Sequence, residues 1–244
     1  MSENLKEILK TIHTLLIPPI HPSGWPIIVG VVFIALILSL IWDLLGFIGF
    51  IISVWLFYFF KTPRRYTPKQ DGLIVAPIGG RITQITANAD LPKEFGQTDD
   101  GQYSKITITP SPFDAHVIRF PTCASITKTN LKSRAAMHSG FDKADEESDH
   151  YAIMFDVPFK SKTYGMALMI TASGPLSKII FEANENKKYV TGEICGHIRF
   201  YGFIDLYIPK NAALLCDVGQ SMIEGETVIA DFASKEKHRQ AIKR

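Results

Sequence analysis

Two neighbouring runs, YAIMFDVPF at 151–159 and YGMALMITA at 164–172, decide how the polar part of this chain folds. In each, the large apolar side chains recur at every second position, Ile153, Phe155, Val157 and Phe159 in the first and Met166, Leu168 and Ile170 in the second. That is the period of a strand with one face turned to a core. Working outward, the same reading applies to DGLIVAP, GRITQITA, SKITITP, HVIRFP and ASITKTNL before the pair, and to KIIFEA and HIRFYGFIDLYIP after it. β-Branched residues dominate these runs. LPKEF (91–95) and FDKADEES (141–148) are the places for irregular or helical structure. No βαβ rhythm occurs, and Gly79-Gly80-Arg81 lacks the glycine spacing and Lys-Ser/Thr ending of a phosphate loop. The last stretch, NAALLCDVGQSMIEGETVIADF, holds two strand-like pieces with turn glycines at 219 and 225. It resembles the small barrels of biotinyl and lipoyl carriers but has no lysine at a hairpin tip, so its glycines serve tight turns.

The first quarter of the 244 residues is different. From Trp25 to Phe60 the only charged residue is Asp43, which divides PIIVGVVFIALILSLI from LLGFIGFIISVWLFYFF. A helix of roughly 17 residues reaches about 25 Å, against a bilayer core of about 30 Å, so each half is a short span and the two form a hairpin. The region begins too late and runs too long for a cleaved leader. Asp43, beside Trp42, is expected in the connection, at the far interface or at the bottom of a re-entrant hairpin where a carboxylate reaches water. Lys6 and Lys10 precede the first span, and Lys61, Arg64, Arg65 and Lys69 follow the second. Both flanks are therefore expected on the cytoplasmic side of the inner membrane, with Lys61, Arg64 and Arg65 near anionic headgroups. The segments are then 1–24, the anchoring hairpin 25–60, the β-rich domain 61–232 and a polar tail 233–244.

Charge excludes one class of partner. With 26 Lys and Arg against 24 Asp and Glu, mixed along the chain, there is no concentrated basic surface for nucleic acid. Cys123, Cys195 and Cys216 are far apart and odd in number, which suits buried thiols rather than disulfides or a zinc site.

Several phrases, in one order along nearly the whole chain, resemble the short bacterial form of phosphatidylserine decarboxylase. These are IHPSGWPIIVG and FYFFKTPRRYTP in the leader, PSPFDAHVIRFP at 110–121, TGEICGHIRF at 191–200, DLYIP at 205–209 and GQSMIEGETVIA at 219–230. The resemblance implies a β-rich α+β domain of that type behind a hydrophobic helical hairpin. It also implies a proenzyme that cuts itself between glycine and serine, the serine becoming a pyruvoyl group that takes up the electrons of decarboxylation.

Residue by residue, that implication fails at the centre. The family's Arg-Phe-Gly-Ser-Arg-Val-Asp falls on Arg199, Phe200, Tyr201, Gly202, Phe203, Ile204 and Asp205, so the serine is Gly202. Pro-Ala-Asp-Gly falls on Pro77, Ile78, Gly79 and Gly80, so the orienting aspartate is Gly79. His116 is retained, while the signature asparagine is Ile118 and the acidic segment is altered at 146–151. No pyruvoyl group can form from Gly202, and no cofactor is expected. Ser173 and Ser177 belong to an earlier strand and follow no glycine, so they are not expected to rescue self-cleavage. His138, His150, His197, Asp142, Asp145, Glu146 and Asp149 lack a metal-binding spacing. Cys195 reads as a buried thiol rather than a nucleophile.

Two readings of function follow. The first is a non-catalytic membrane protein whose partners are membrane phospholipid and either further copies of itself or an active decarboxylase. The second is a phosphatidylserine decarboxylase making phosphatidylethanolamine by an atypical route.

Overall fold

Pro22 and Pro26 stand where a helix tolerates proline, at positions whose N–H has no intrahelical partner to lose. A 3-10 turn over Pro22–Gly24 accordingly leads into α1 (Trp25–Ser39), with Pro26 in its first turn. After residues 40–42 the chain enters α2 (Asp43–Phe59). Asp43 is thus the first helical residue and not part of the connection, as its position between two apolar runs suggested. A carboxylate there is favoured by the partial positive charge of a helix N-terminus. The ends of the hairpin are tied: His21 N donates to Phe60 O at 2.9 Å and Thr62 N to Pro19 O at 2.6 Å. Pro22–Ser39 is long and apolar enough to cross a membrane, with a mean hydropathy of 2.0, whereas α2 is one residue shorter. Phe33, Leu36, Phe47 and Phe50 are each more than half exposed. That exposure is costly in water and costless in hydrocarbon.

The computed structural model describes residues 19–92, 95, 103–132, 148–174, 176–185 and 187–234. It divides into two units between Arg64 and Arg65. The expected helical or irregular segment at 141–148 lies outside the described residues except for Ser148, as do Lys93 and Glu94 of 91–95 and the tail from residue 235.

The second unit consists of strands: β1 (Leu73–Val75), β2 (Gly80–Ala89), β3 (Tyr103–Thr109), β4 (Val117–Arg119), β5 (Ala124–Lys132), β6 (Asp149–Phe159), β7 (Lys162–Ala172), β8 (Lys178–Phe181), β9 (Lys188–Tyr189), β10 (Ile194–Arg199), β11 (Gly202–Pro209), β12 (Ala213–Leu214), β13 (Ser221–Met222) and β14 (Val228–Asp231). Among its described residues there is no α-helix, so the helical part of the expected α+β class is confined to the first unit. Eight strands form one antiparallel sheet in the order β13-β2-β3-β11-β7-β6-β5-β9. Two three-stranded sheets, β1-β14-β12 and β4-β10-β8, complete the unit.

Alternation does the sorting. Met166, Leu168 and Ile170 of β7 and Ile204, Leu206 and Ile208 of β11 enter the main core with Phe155, while Ala167, Met169 and Tyr207 supply a smaller cluster with Tyr103 on the opposite face. Each fully buried Leu or Ile contributes about 1.5–3 kcal/mol relative to exposure. At the open side of β5, Thr129 N and Oγ1 both donate to Glu185 Oε1, at 2.8 and 2.7 Å.

One strand expectation is corrected. HIRFYGFIDLYIP, read as a single run, is split between β10 and β11, which lie in different sheets. Phe200 sits at φ 63, a left-handed conformation that turns the chain from one sheet to the other. The apolar alternation runs straight through this reversal, and phenylalanine carries none of the glycine or asparagine chemistry that announces one. The C-terminal stretch likewise makes three short strands rather than two.

Candidate functional site

The break at Phe200 places Tyr201 and Gly202 between the end of β10 in one sheet and the start of β11 in another. In the register of β11, Gly202 lies opposite Ala172 at the end of β7. Tyr201 O accepts from Ser173 N at 3.2 Å, and Tyr201 N donates to Ser177 Oγ at 3.1 Å. Both serines therefore flank the Tyr201–Gly202 segment, a proximity that sequence separation hides and only the β7–β11 pairing creates. Ser177 Oγ is engaged at the amide of Tyr201. Ser148 Oγ and Ser173 Oγ are 2.8 Å apart.

There is no room for a side chain at 202. A Cβ there would collide with the carbonyl oxygen of Thr171 and come within 2.8 Å of Ile198 Cγ2 and 3.3 Å of Ala172 Cα. The nearest obstacle is backbone, which cannot swing aside as a flexible side chain can.

Gly79 is similarly enclosed, by a different group. A Cβ there would lie 2.7 Å from Glu224 Oε2 and 3.7 Å from Ala115 O. Glu224 is 1% exposed, and its Oε1 accepts from Arg65 Nε at 2.7 Å. Burial draws the Arg119 guanidinium below its ordinary pKa, and the nearby Glu224 carboxylate opposes that effect. Arg119 Nη1 also donates to Gly192 O at 2.8 Å. Sequence reasoning missed Glu224: in IEGETVIA it reads as one acid of a turn, and nothing local marks it as buried. Arg65, expected at headgroups, has its Nε committed to this carboxylate. Arg64 is exposed, and Lys61 Nζ lies 3.3 Å over the ring of Tyr58.

His116, 2% exposed, has Nδ1 3.1 Å from Asp114 O. Its ring is 6.4 Å from that of His197, whose Nδ1 is 2.9 Å from His116 O. Burial lowers the His116 pKa to about 4, with the Asp114 carbonyl and charge opposing, so the ring is neutral at pH 7. A folded-state value below the unfolded 6.5 means that the unfolded chain binds the proton more readily. Stability is therefore full above about 6.5 and falls as pH drops from 6.5 toward 4. We expect a loss of about 2 kcal/mol between pH 6.5 and 5 that His116→Gln abolishes, checked by denaturant melts at both pH values. Equal pH slopes in the two proteins would refute it.

The remaining candidates are dispersed. Burial pushes the Cys195 thiol far up, and its Sγ donates to Ile118 O at 3.5 Å, an inert arrangement. Cys216 is pushed up to about 12, again chiefly by burial. Cys123, expected to be buried, is exposed. His150 Nδ1 is 3.1 Å from Thr171 Oγ1. Among the described residues no group of three His, Cys, Asp or Glu is placed to hold a metal. His138, Asp142, Asp145 and Glu146 lie outside them.

This arrangement, a buried histidine beside a sheet-switching segment, is carried by a chain that matches the family model described as phosphatidylserine decarboxylase over residues 52–230. The chain belongs to the phosphatidylserine decarboxylase family. The phosphatidylserine decarboxylase proenzyme of Rhodospirillum rubrum is 34% identical over 233 residues, 95% of this chain and 96% of that one. That of Nitrobacter winogradskyi is 34% identical over 217 residues, 88% of this chain and 85% of the relative. No solved structure matches. The pyruvoyl group that the family implies is made from a serine side chain, and the residues here do not fit it: position 202 has neither a hydroxyl nor space for a Cβ.

Proposed function

We propose that this family member works in phosphatidylserine and phosphatidylethanolamine metabolism at the membrane as a lipid-binding protein that does not generate its own pyruvoyl group. It is held by the apolar hairpin with the β-domain on the cytoplasmic side, and it acts either beside an active decarboxylase or as an assembly of its own copies. The observation that carries this reading is the enclosed glycine at 202. Self-cleavage requires a hydroxyl at that position aligned on the Tyr201 carbonyl, and neither hydroxyl nor Cβ is there. A fold without the reacting group does not carry the reaction.

The relatives favour a second reading. Both are named as decarboxylase proenzymes, and their likeness extends over most of this chain. In that reading the protein decarboxylates phosphatidylserine with an electron sink supplied in some other way. One experiment separates the two: intact mass of the membrane-purified protein, with release of labelled carbon dioxide from carboxyl-labelled phosphatidylserine measured on the same sample. A single chain of 27.3 kDa without carbon dioxide release supports the first reading. Release by the uncut chain supports the second. Two fragments, one with a blocked end near residue 202, would overturn the first and return the protein to the ordinary self-processing route.

A further inference from the structure

The reversal that places Tyr201 also leaves two like charges facing each other. β8 and β10 are antiparallel neighbours, and Arg199 lies directly opposite Lys178. The preceding opposed pair, Ile198 and Ile179, points into the main core. Arg199 and Lys178 therefore share the other face of this small sheet, the face on which His197 also lies. Opposed residues of like charge on one face repel. Among the described residues neither side chain takes part in an ion pair. The half-buried Arg199 has its Nε buried with no hydrogen-bond partner. A buried guanidinium donor without an acceptor is disfavoured, and a second cation beside it makes this worse. An anion at this point would relieve both. The flanks fit a particular kind of anion: Leu176 and Tyr201, 71% and 60% exposed, stand on the segments joined by the Tyr201 N to Ser177 Oγ bond. Apolar and phenolic side chains around a cationic pair match the headgroup boundary of a bilayer, where tyrosine is favoured.

We infer that Arg199 and Lys178 form a binding site for a phosphate group, with the guanidinium and ammonium donating to its oxygens and Leu176 and Tyr201 against the apolar part of the molecule that bears it. The lipid source of that phosphate rests on the function proposed above, whereas the site itself does not. The full chain, held in a phosphate-free neutral detergent, is titrated calorimetrically with dihexanoyl phosphatidylserine, glycerophosphoserine and inorganic phosphate. The short-chain lipid should bind most tightly, binding should weaken with salt, and Arg199→Gln and Lys178→Gln should each lower affinity roughly tenfold or more. Should Arg199→Gln fail to fold, Lys178→Glu at its exposed position carries the test and should abolish binding. If the lipid binds wild type and variants equally, this site is overturned while the lipid-binding function stands. If all three probes bind wild type equally and all depend on the pair, the site stands with a soluble phosphate ester as its ligand, and the lipid-binding function loses this support. No binding of any probe overturns the site.

Discussion

Glu224→Ala should destabilise the β-domain by about 3 kcal/mol, the lower end of the range for breaking a buried ion pair. The lower end applies because Arg65 is 21% exposed and recovers some hydration, whereas Glu224 is 1% exposed. For a unit of this size the loss corresponds to a melting temperature lowered by roughly 6–12 °C. Two cations are affected by one substitution: Arg65 loses its acceptor at 2.7 Å, and Arg119 loses the carboxylate that offsets its burial. Glu224→Gln, which keeps an oxygen able to accept from Arg65, should fall between. Thermal melts of the detergent-held chain, followed by the far-ultraviolet strand signal, measure both. A shift below about 2 °C for the alanine variant would show that the carboxylate is not the tie its burial indicates.

Restoring the missing serine should fail. Gly202→Ser places a Cβ against the Thr171 carbonyl, so β7 or β11 must shift, at a cost of about 1–3 kcal/mol for an overpacked site. The hydroxyl would then be displaced from any alignment on the Tyr201 carbonyl. Intact mass should again give one uncut chain. Adding Gly79→Asp should make matters worse, because its Cβ would sit 2.7 Å from Glu224 Oε2 and bring a second carboxylate to a buried one. In a Gly79→Asp/Glu224→Ala background the penalty of the aspartate should shrink, a coupling that a double-mutant cycle reads directly. Self-cleavage by the single Gly202→Ser variant would sink the whole account of this site.

Much of this was legible in the sequence, and the limits have physical causes. Period-2 patterning located both long strands of the main sheet because β6 and β7 turn their large side chains to one core. The glycines at 79 and 202 were identified by motif position alone. What the sequence could not convey is why they persist: the collisions come from Thr171, Ile198 and Glu224, brought close only by tertiary pairing. Glu224 was invisible for the same reason, since an acid between Ile223 and Gly225 looks solvated until Arg65 is laid against it. Phe200 escaped notice because a left-handed phenylalanine breaks no pattern of hydrophobicity. The apolar hairpin was located by composition, and the difference at Asp43 is one of first helical turn against connection.

The bond from Thr129 to Glu185 has a consequence for behaviour at high density. A protein held at a membrane, as proposed above, is crowded in two dimensions, where an open strand edge invites a neighbouring copy to add its own strand. Among the described residues β9 covers β5 only at Ala124 and Ser125, which would leave the rest of that border available. By taking the outward amide of Thr129, the Glu185 carboxylate occupies the donor that an incoming strand would need and presents a negative charge to it. Copies of this chain brought close together would then be kept from merging their sheets into a polymer.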